Sequence, residues 1–245
     1  MATQRTFQLT EEQLQDYMSC PIYFNIKNKS KLKVEPQPTM SKLLNKLVSG
    51  FCIQLMDGEV QRLDIIKRKW DMLCRRYPDY INNERARNGF SLLCSFYRWA
   101  AENEIIIADV GSPYMLRVQE NGFNIEYRGS LGIIALNKNN DPENLLIDFS
   151  SRLPDQSLID LKLKTSLDHI GFRQLYKKNL VGTRVHNVKH NRDFFTIRDV
   201  NLEKKKAAEI IKNVAIGIKN NYWYPHETPL CSSCVVRDFC LMYGK

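Results

Sequence analysis

Three cysteines close to the end of the chain place the strongest constraint on how it folds. Cys231, Cys234 and Cys240 lie within ten positions, at C-x2-C-x5-C spacing. A structural zinc site and a cubane iron-sulfur cluster both normally require four ligands of this kind. Cys20, which stands directly before Pro21 near the other end of the chain, is the best fourth ligand. The pattern therefore predicts one metal centre that ties the two ends of the chain together.

The other cysteines fit a reduced, structural role. Seven cysteines in a chain of 245 residues are an odd number, and residues 1–5 lack the apolar stretch of a secretion signal. This usage favours metal ligation over a disulfide framework. Cys52, Cys74 and Cys94 fall on apolar helical faces, where a free cysteine behaves as a small hydrophobic side chain. No apolar run approaches the roughly 20 residues of a membrane span, so we expect no membrane partner and a cytoplasmic location, in the host cell if the protein is viral.

The charge balance predicts a polyanionic partner. The chain carries 36 lysines and arginines against 27 aspartates and glutamates, a net charge of +9. Such an excess attracts DNA through phosphate contacts and counterion release. A basic chain that is merely soluble is the alternative. The candidate DNA contacts are the clustered basic residues Lys67, Arg68, Lys69, Arg75, Arg76, Lys204, Lys205 and Lys206.

Periodicity predicts helices on both sides of a run of short strands. A capping box at Thr10 and Gln13 starts the first helix, and residues 27–38 are predicted to be a loop or short strand. The remaining helices are predicted over 39–77 with a break at Asp57-Gly58, 82–102, 157–180 and 202–219. Short β-rich runs are predicted between 104 and 149, and a hairpin over 184–198.

This order predicts an α/β fold, a mixed sheet covered by helices. We expect a single domain over 1–245. Its helical part covers 1–103, its core 104–200, and its last helix and cysteine tail 201–245.

Three segments together resemble one nuclease family. They are the residues from Tyr17 to Phe24, an antiparallel pair ending at Leu146–Phe149, and Trp223-Tyr224-Pro225 followed by the cysteine set. They are similar to the RecB/AddB-type nucleases of the PD-(D/E)XK superfamily, which include CRISPR-associated exonucleases and phage-encoded relatives. The resemblance implies a restriction-endonuclease-like sheet and a 4Fe-4S cluster on the four cysteines. Zinc remains the alternative, because four thiolates alone do not select the metal.

The catalytic motifs depart from that family. The resemblance implies a Gly-x-x-Asp motif on one strand and an Asp-x-Lys motif on the next, which bind Mg²⁺ and activate water. The first motif aligns with Gly129-Ser130-Leu131-Gly132, where glycine replaces the aspartate. The second aligns with Asp148-Phe149-Ser150, where serine replaces the lysine. One of three required groups remains, so no catalytic residue is expected.

A second alignment keeps an intact site. Asp148 then provides the first carboxylate, and Asp160-Leu161-Lys162 is a complete Asp-x-Lys, which predicts a Mg²⁺-dependent DNA exonuclease. Against it, Leu145 stands where the motif requires glycine, and the strands at 125–127 and 131–136 lose their paired role. We favour the degraded site. The expected function is a DNA-binding or scaffolding subunit of a replication, recombination or transcription assembly.

Several other polar and aromatic residues are weaker candidates. The four histidines, His169, His186, His190 and His226, are predicted to be surface residues. Glu126 is predicted to face solvent, with metal binding beside Asp148 as the alternative. The aromatic run at 222–224 is predicted to pack near the cluster, with base stacking as the alternative. Gln174 and Tyr176 resemble the residues that follow the core in the family.

Overall fold

The computed structural model describes residues 6–29, 38–59, 62–120, 123–153, 163–227, 231–232 and 234–240. They form an α/β protein with two mixed sheets and flanking helices. The strands are β1 (Thr6–Thr10), β2 (Ile106–Val110), β3 (Pro113–Glu120), β4 (Phe123–Ser130), β5 (Ile133–Leu136), β6 (Pro142–Asp148), β7 (Thr183–Asn187) and β8 (Arg192–Thr196). The helices are α1 (Glu11–Ser19), α2 (Pro21–Lys29), α3 (Met40–Met56), α4 (Leu63–Arg76), α5 (Asn83–Glu102), α6 (Leu163–Tyr176) and α7 (Val200–Lys219), followed by a 3-10 turn (Arg237–Phe239).

The chain divides into two compact units. The first unit comprises Met1–Pro36, Pro113–Ser130 and Lys204–Lys245, and the second comprises Gln37–Ser112 and Leu131–Glu203. The single domain expected over 1–245 remains a prediction. No helix in the described part of the chain is long and apolar enough to cross a membrane.

The first unit is built on a three-stranded sheet in the order β1-β4-β3. β1 runs parallel to β4, and β4 runs antiparallel to β3. Alternate residues of β4 point to one buried face, because side chains of a strand alternate between faces. Ile125 and Tyr127 on that face are fully buried, as are Leu14 of α1 and Ile211 of α7. The helices of this unit therefore share a core with its sheet.

The second unit contains a five-stranded sheet in the order β2-β5-β6-β7-β8. All neighbours are antiparallel except β6 and β7, which run parallel and are connected through α6. One face of β6 buries Leu145 and Ile147 in a core with the aromatic residues of α4 and α5, including Trp70, Phe96 and Trp99. The opposite face of β6 carries Asn144 and Asp148, since side chains two apart share a face. Asp148 is the last residue of β6.

Side-chain caps begin three of the predicted helices, α1, α3 and α5. The capping box at Thr10 is confirmed, because Gln13 N donates to Thr10 Oγ1 at 3.2 Å and Thr10 N donates to Gln13 Oε1 at 3.0 Å. Thr39 and Asn82 cap α3 and α5 with their side chains alone, which accept from Lys42 N and Arg85 N. The helices predicted over 39–77, 82–102 and 202–219 are confirmed with small shifts of their ends. Of the helix predicted over 157–180, residues 163–176 are helical.

Three local predictions were wrong. Residues 27–29 are the last turn of α2, because Pro21 at its first position begins a helix and Lys27 Nζ pairs with Glu12 and Asp16 of α1 at 2.6 and 2.7 Å. β1 was not predicted. The strands at 125–127 and 131–136 belong to different sheets and do not pair, since β4 pairs with β1 and β3 while β5 pairs with β2 and β6.

Candidate functional site

The cysteine site begins at the junction of α1 and α2 in the first unit. α1 ends at Ser19, and Cys20 is its C-cap with its backbone N–H donating to Asp16 O at 3.0 Å. Pro21 then starts α2, because proline lacks the N–H that an interior helical position needs. The Cys20 side chain is half-buried and forms no disulfide. The sequence Cys-Pro thus fixes a thiol at a sharp corner between two helices.

The chain that follows α7 lies against this corner. Tyr17 of α1 donates its hydroxyl to the carbonyl of Tyr222 at 2.9 Å. The Trp223 ring stacks on Phe24 of α2 at 5.9 Å and 22°, and also contacts Tyr17 at 6.1 Å. His226 Nδ1 lies 3.1 Å from the carbonyl oxygen of Ser19, the residue before Cys20. The tail is therefore held beside the α1–α2 corner before its first cysteine is reached.

The three tail cysteines lie on consecutive tight turns. Cys234 N donates to Cys231 O at 3.2 Å, Arg237 N to Cys234 O at 3.1 Å, and Cys240 N to Arg237 O at 3.0 Å. All three thiols are half-buried and free of disulfides. The Cys231 thiol donates to the carbonyl of His226 at 3.9 Å.

A side chain of α2 connects the tail electrostatically to the same corner. Burial raises the pKa of Tyr23, Lys27 opposes the rise, and Asp16 followed by the Cys234 thiol adds to it. Cys234 is therefore close enough to Tyr23 of α2 to influence its ionisation, three residues along from Cys20.

The four thiols fit a four-thiolate group in their chemistry, but they are not gathered into a ligand shell. Cys20, Cys231, Cys234 and Cys240 belong to one unit and are reduced and half-buried. Over the ranges that the structure describes, no three or more His, Cys, Asp or Glu side chains are arranged to hold a metal ion. Ligation by these four cysteines therefore remains a prediction.

The remaining cysteines are poor metal ligands. Burial raises the pKa of Cys52 to about 12 and also raises the pKa of Cys74 and of Cys94. A metal binds the thiolate, and a raised pKa disfavours that form. All three lie on helices of the second unit, as expected for structural thiols.

The second candidate site is the polar end of β6 in the second unit. Asp148 is the last residue of β6, and its Oδ2 accepts hydrogen bonds from Asn187 Nδ2 at 2.7 Å and from Ser150 Oγ at 2.9 Å. Its Oδ1 accepts from Ser150 N at 3.0 Å. Neutral donors thus surround the carboxylate, and Ser150, at the position where the family motif has lysine, is one of them.

Gly132 lies at the same end of the sheet, because β5 starts where the antiparallel β6 ends. A Cβ atom built on Gly132 would lie 2.9 Å from Oδ2 of Asp168 on α6. Asp168 is fully buried, and its Oδ1 accepts a hydrogen bond from Gly132 N at 3.1 Å and an ion pair from Lys164 Nζ at 2.6 Å. A carboxylate from the crossover helix therefore fills the space beside Gly132.

Of the three residues of the alternative nuclease site, the structure describes Asp148 alone. Asp160 and Lys162 lie outside the described residues, and α6 begins at Leu163 directly after them. Asp148 is described, but both sides of its strand are already paired, with β5 and with β7.

The predicted DNA-contacting residues are on two helices that belong to different units. Lys67, Arg68, Lys69, Arg75 and Arg76 are exposed on α4. Two of them have acidic neighbours, since Lys67 pairs with Asp71 at 3.0 Å and Arg68 with Asp64 at 3.3 Å. Lys204 and Lys205 are exposed on α7, and Lys206 is half-buried. Arg75 and Arg76 form the last turn of α4 and are exposed.

Two of the four histidines are buried, which corrects the prediction that all lie at the surface. His169 is fully buried with Nε2 3.1 Å from Thr183 Oγ1. His186 is 1% exposed, stacks on Trp99 at 3.8 Å and 14°, and its Nδ1 lies 2.7 Å from Asp193 Oδ1. Both imidazoles bury their apolar faces while a neighbour accepts or donates one hydrogen bond. His190 and His226 are exposed as predicted.

The remaining weaker candidates are also located. Glu126 lies on β4 of the first unit and pairs with Arg117 at 3.4 Å. Trp223 packs as described above, whereas Tyr222 and Tyr224 are 57% and 58% exposed, so packing was the right prediction for one residue of the three. Tyr176 of α6 donates its hydroxyl to Asp109, and this hydrogen bond, followed by burial, raises the pKa of Tyr176.

Sequence reasoning missed Asp168, Lys164 and Asn144. The only local signal is the i, i+4 spacing of Lys164 and Asp168, which marks an ordinary helix ion pair. Their meeting with Gly132 and with Asn144 of β6 depends on the packing of α6 over the sheet.

Comparisons with known proteins leave the family open. No family model and no curated protein matches the sequence. Among solved structures, that of SSO0001 aligns over 96% of this chain and 95% of its own, with a TM-score of 0.39 and 10% sequence identity. A likeness at that level supports no statement about function, and the α/β class is established by the strands and helices of the chain itself.

Proposed function

We propose that the chain is a RecB-like protein of the PD-(D/E)XK type that has lost hydrolysis and binds DNA, with a structural 4Fe-4S cluster at its cysteines. The observation that carries the loss of activity is the end of β6. There Asp148 is held by the neutral donors of Ser150 and Asn187, and Gly132 provides no carboxylate. Metal-dependent phosphate hydrolysis needs acidic ligands grouped around the ion.

The strand arrangement supports the proposed fold. The two motif positions, Gly132 and Asp148, lie at the same end of consecutive antiparallel strands in a mixed sheet flanked by helices. The family arrangement likewise has its two motifs on successive strands. The helix α6 lies in the crossover from β6 to β7 and carries Gln174 and Tyr176, as the resemblance implies.

The cysteine arrangement supports the proposed cluster. Cys20 and the tail cysteines are the residues that would hold it, and they are brought to neighbouring segments by the contacts of Tyr17, Phe24 and Ser19 with the tail. When bound, the cluster supplies a covalent cross-link between segments that are more than 200 residues apart in sequence.

One assay separates DNA binding from cleavage. Labelled single- and double-stranded DNA is incubated with the protein in EDTA, Mg²⁺ or Mn²⁺ over a range of salt. We expect binding whose affinity falls steeply with salt, and no cleavage in any metal, with Asp148→Ala identical to the wild type. Cleavage that Asp148→Ala abolishes would instead support the exonuclease alternative. Absence of both activities would favour the protein scaffold.

Charge variants test which surface contacts DNA. Arg75→Ala and Arg76→Ala should weaken binding to all sequences and reduce the salt slope by about 1 each if each arginine contacts a phosphate. Lys138→Ala, in the exposed turn between β5 and β6, removes the same charge elsewhere on the second unit and should leave the slope unchanged. An equal effect of all three variants would show that only net charge matters.

Cysteine variants test the cluster independently of DNA. Serine at Cys20, Cys231, Cys234 or Cys240 should each lose iron and the brown colour of an anaerobic preparation. Cys94→Ser is the matched control, because Cys94 is also half-buried but lies on α5, and it should keep its iron. Zinc in place of iron in the wild type would retain the site and change the cofactor. Full iron content in all four variants would refute the site.

A further inference from the structure

Two turns of the second unit lie side by side at one end of its sheet. The first turn, residues 149–153, follows β6, and the second, residues 188–191, joins β7 to β8. They lie at the same end because β6 and β7 run parallel, with Asp148 opposite Asn187. Asn187 is in turn opposite Arg192, the first residue of β8. Residues opposite each other in neighbouring strands project to the same face of a sheet, so these three side chains share one face.

Hydrogen bonds connect the two turns. The buried Asn187 places its Nδ2 3.2 Å from the carbonyl oxygen of Ser150 and 3.4 Å from that of Arg152. Its Oδ1 accepts from His190 N at 3.0 Å. From the second turn, His190 Nε2 lies 2.9 Å from the carbonyl oxygen of Ser151. The backbones of the two turns therefore form one connected surface.

This surface carries three exposed cations. They are Arg152 in the first turn, Lys189 in the second and Arg192 at the start of β8. Within the part of the chain that the structure describes, no carboxylate forms an ion pair with any of them. On α4, by contrast, Lys67 and Arg68 each pair with an aspartate. Positive charges that lack an acidic partner attract a polyanion more strongly than charges that are already paired.

The carboxylates that border the two turns are already engaged. Asp148 is half-buried and accepts hydrogen bonds from neutral donors. Asp193 projects to the opposite face of β8, because side chains of a strand alternate between faces. There its Oδ1 lies 2.7 Å from His186 Nδ1, and its Oδ2 lies 3.5 Å from Arg184 Nη1. The positive charge of the turns is therefore not cancelled by ion pairs with these two neighbours.

We propose that the paired turns bind the phosphate backbone of DNA, with Arg152, Lys189 and Arg192 contacting phosphate groups. Arginine and lysine donate charge-assisted hydrogen bonds to phosphate oxygens, and such contacts position a nucleic acid without reading its bases. The inference rests on the proposed function, because it names a surface through which the chain holds DNA. None of the three residues belongs to the basic clusters on α4 and α7.

Two triple variants with the same net charge test this surface. The turn variant replaces all three cations of the turns with alanine. The control variant combines Lys138→Ala, Arg173→Ala and Lys178→Ala, which removes three exposed cations from the opposite end of the same unit. Lys138 follows β5, Arg173 lies in the last turn of α6, and Lys178 precedes β7. Both variants should keep the wild-type Tm, because the substituted side chains are exposed.

Fluorescence anisotropy with a short labelled duplex in EDTA measures the affinity over a series of salt concentrations. The turn variant should bind DNA about 100-fold more weakly near 0.1 M salt. The slope of log affinity against log salt should fall by about 2–3, since each phosphate contact contributes about 1. The control variant should keep the wild-type slope. Arg152→Lys combined with Arg192→Lys retains the charges and should also keep it.

The outcomes separate this surface from DNA binding in general. The inference is overturned if the turn variant keeps the wild-type slope, or if the control variant loses as much, which would show that only net charge matters. In either case DNA binding by the wild type would leave the proposed function in place. A wild type that binds no DNA would overturn both. If the turn variant does not fold, each of its single alanine variants should lower the slope by about 1 in the same assay.

Discussion

At the scale of single residues, the ring of Trp70 packs so closely on Gly89 of α5 that no larger residue fits there. A Cβ on Gly89 would lie 2.7 Å from Cη2 of Trp70, which is 1% exposed and donates its Nε1–H to Ala86 O at 2.9 Å. Gly89→Ala should lower the free energy of unfolding by about 1–3 kcal/mol, because overpacking outweighs the helix propensity of alanine. Urea unfolding measures the change. Gly50→Ala on α3, where no atom lies within 4 Å, should instead raise it by about 0.5–1 kcal/mol. Equal effects would contradict the packing argument.

His169 makes stability depend on pH. Burial lowers its pKa to about 4, and Arg198 adds to this effect while Glu203 opposes it. The unfolded chain, with a pKa near 6.5, binds the proton more readily, so stability falls as pH falls from about 6.5 to 4. The slope approaches about 1.4 kcal/mol per pH unit. His169→Gln cannot titrate. The free energy of unfolding of the variant should therefore rise relative to that of the wild type as the pH falls through this window. Urea unfolding at a series of pH values measures both free energies. The same pH dependence in the two proteins would contradict this prediction.

At the scale of elements, Gly217 allows α7 to pack on α1. A Cβ on Gly217 would lie 2.8 Å from Cζ of Tyr17, whose hydroxyl donates to Tyr222 O at 2.9 Å. Gly217→Ala should displace the ring and cost about 1–3 kcal/mol. Tyr17→Phe removes only the hydroxyl and should cost about 0.5–1.5 kcal/mol. The two changes share one contact, so their double variant should be less destabilised than the total of both. Strict additivity in thermal unfolding would mean that the ring and the glycine are independent.

Elements with a strong period and a local cap were predictable from sequence. α3 and α5 combine apolar residues at three- and four-residue intervals with Thr39 and Asn82 as caps. β1 was not predictable from sequence, because its five residues are held by parallel pairing with β4, more than 100 residues away. α6 shows little amphipathic pattern since residues 165–172 are all buried, polar ones included. The sequence therefore located this helix without revealing that its polar side chains face a packed interior.

The candidate sites divide in the same way. The cysteine site remains a prediction, in which the spacing of the three tail cysteines is a local property of the sequence and the addition of Cys20 is not. The tail contacts with Ser19 and Tyr17 are consistent with that predicted grouping. The partners of Asp148 were not predictable, since Asn187 comes from a strand joined through α6. The burial of His186 depends likewise on Trp99 of α5, 87 positions earlier in the chain. The sequence pattern does not predict contacts between elements that are distant in the chain, because packing of the whole unit brings them together.

At the scale of the whole molecule, the two units should respond differently to loss of the proposed 4Fe-4S cluster. All four proposed ligands lie in the first unit, where the α1–α2 corner meets the tail. The core of the second unit is assembled from α3, α4, α5 and its own sheet, without any of these cysteines. Metal binding couples to folding where the ligands are, since the unligated segments lose a cross-link. Iron removal should therefore loosen α1, α2 and the tail while the second unit remains protected.

Hydrogen exchange followed by mass spectrometry measures this difference. Iron is removed by anaerobic chelation, or its binding is prevented in Cys20→Ser. In both cases peptides from α1, α2 and residues 222–240 should exchange about tenfold faster or more. This change corresponds to at least about 1.4 kcal/mol of lost local stability. Peptides from β6 and β7 should keep their rates, because their hydrogen bonds lie in the other unit. Cys94→Ser should match the wild type throughout. If exchange becomes faster in the tail alone, Cys20 is not the fourth ligand. If it becomes faster in both units, the stabilising effect of the cluster is not confined to a cross-link within the first unit.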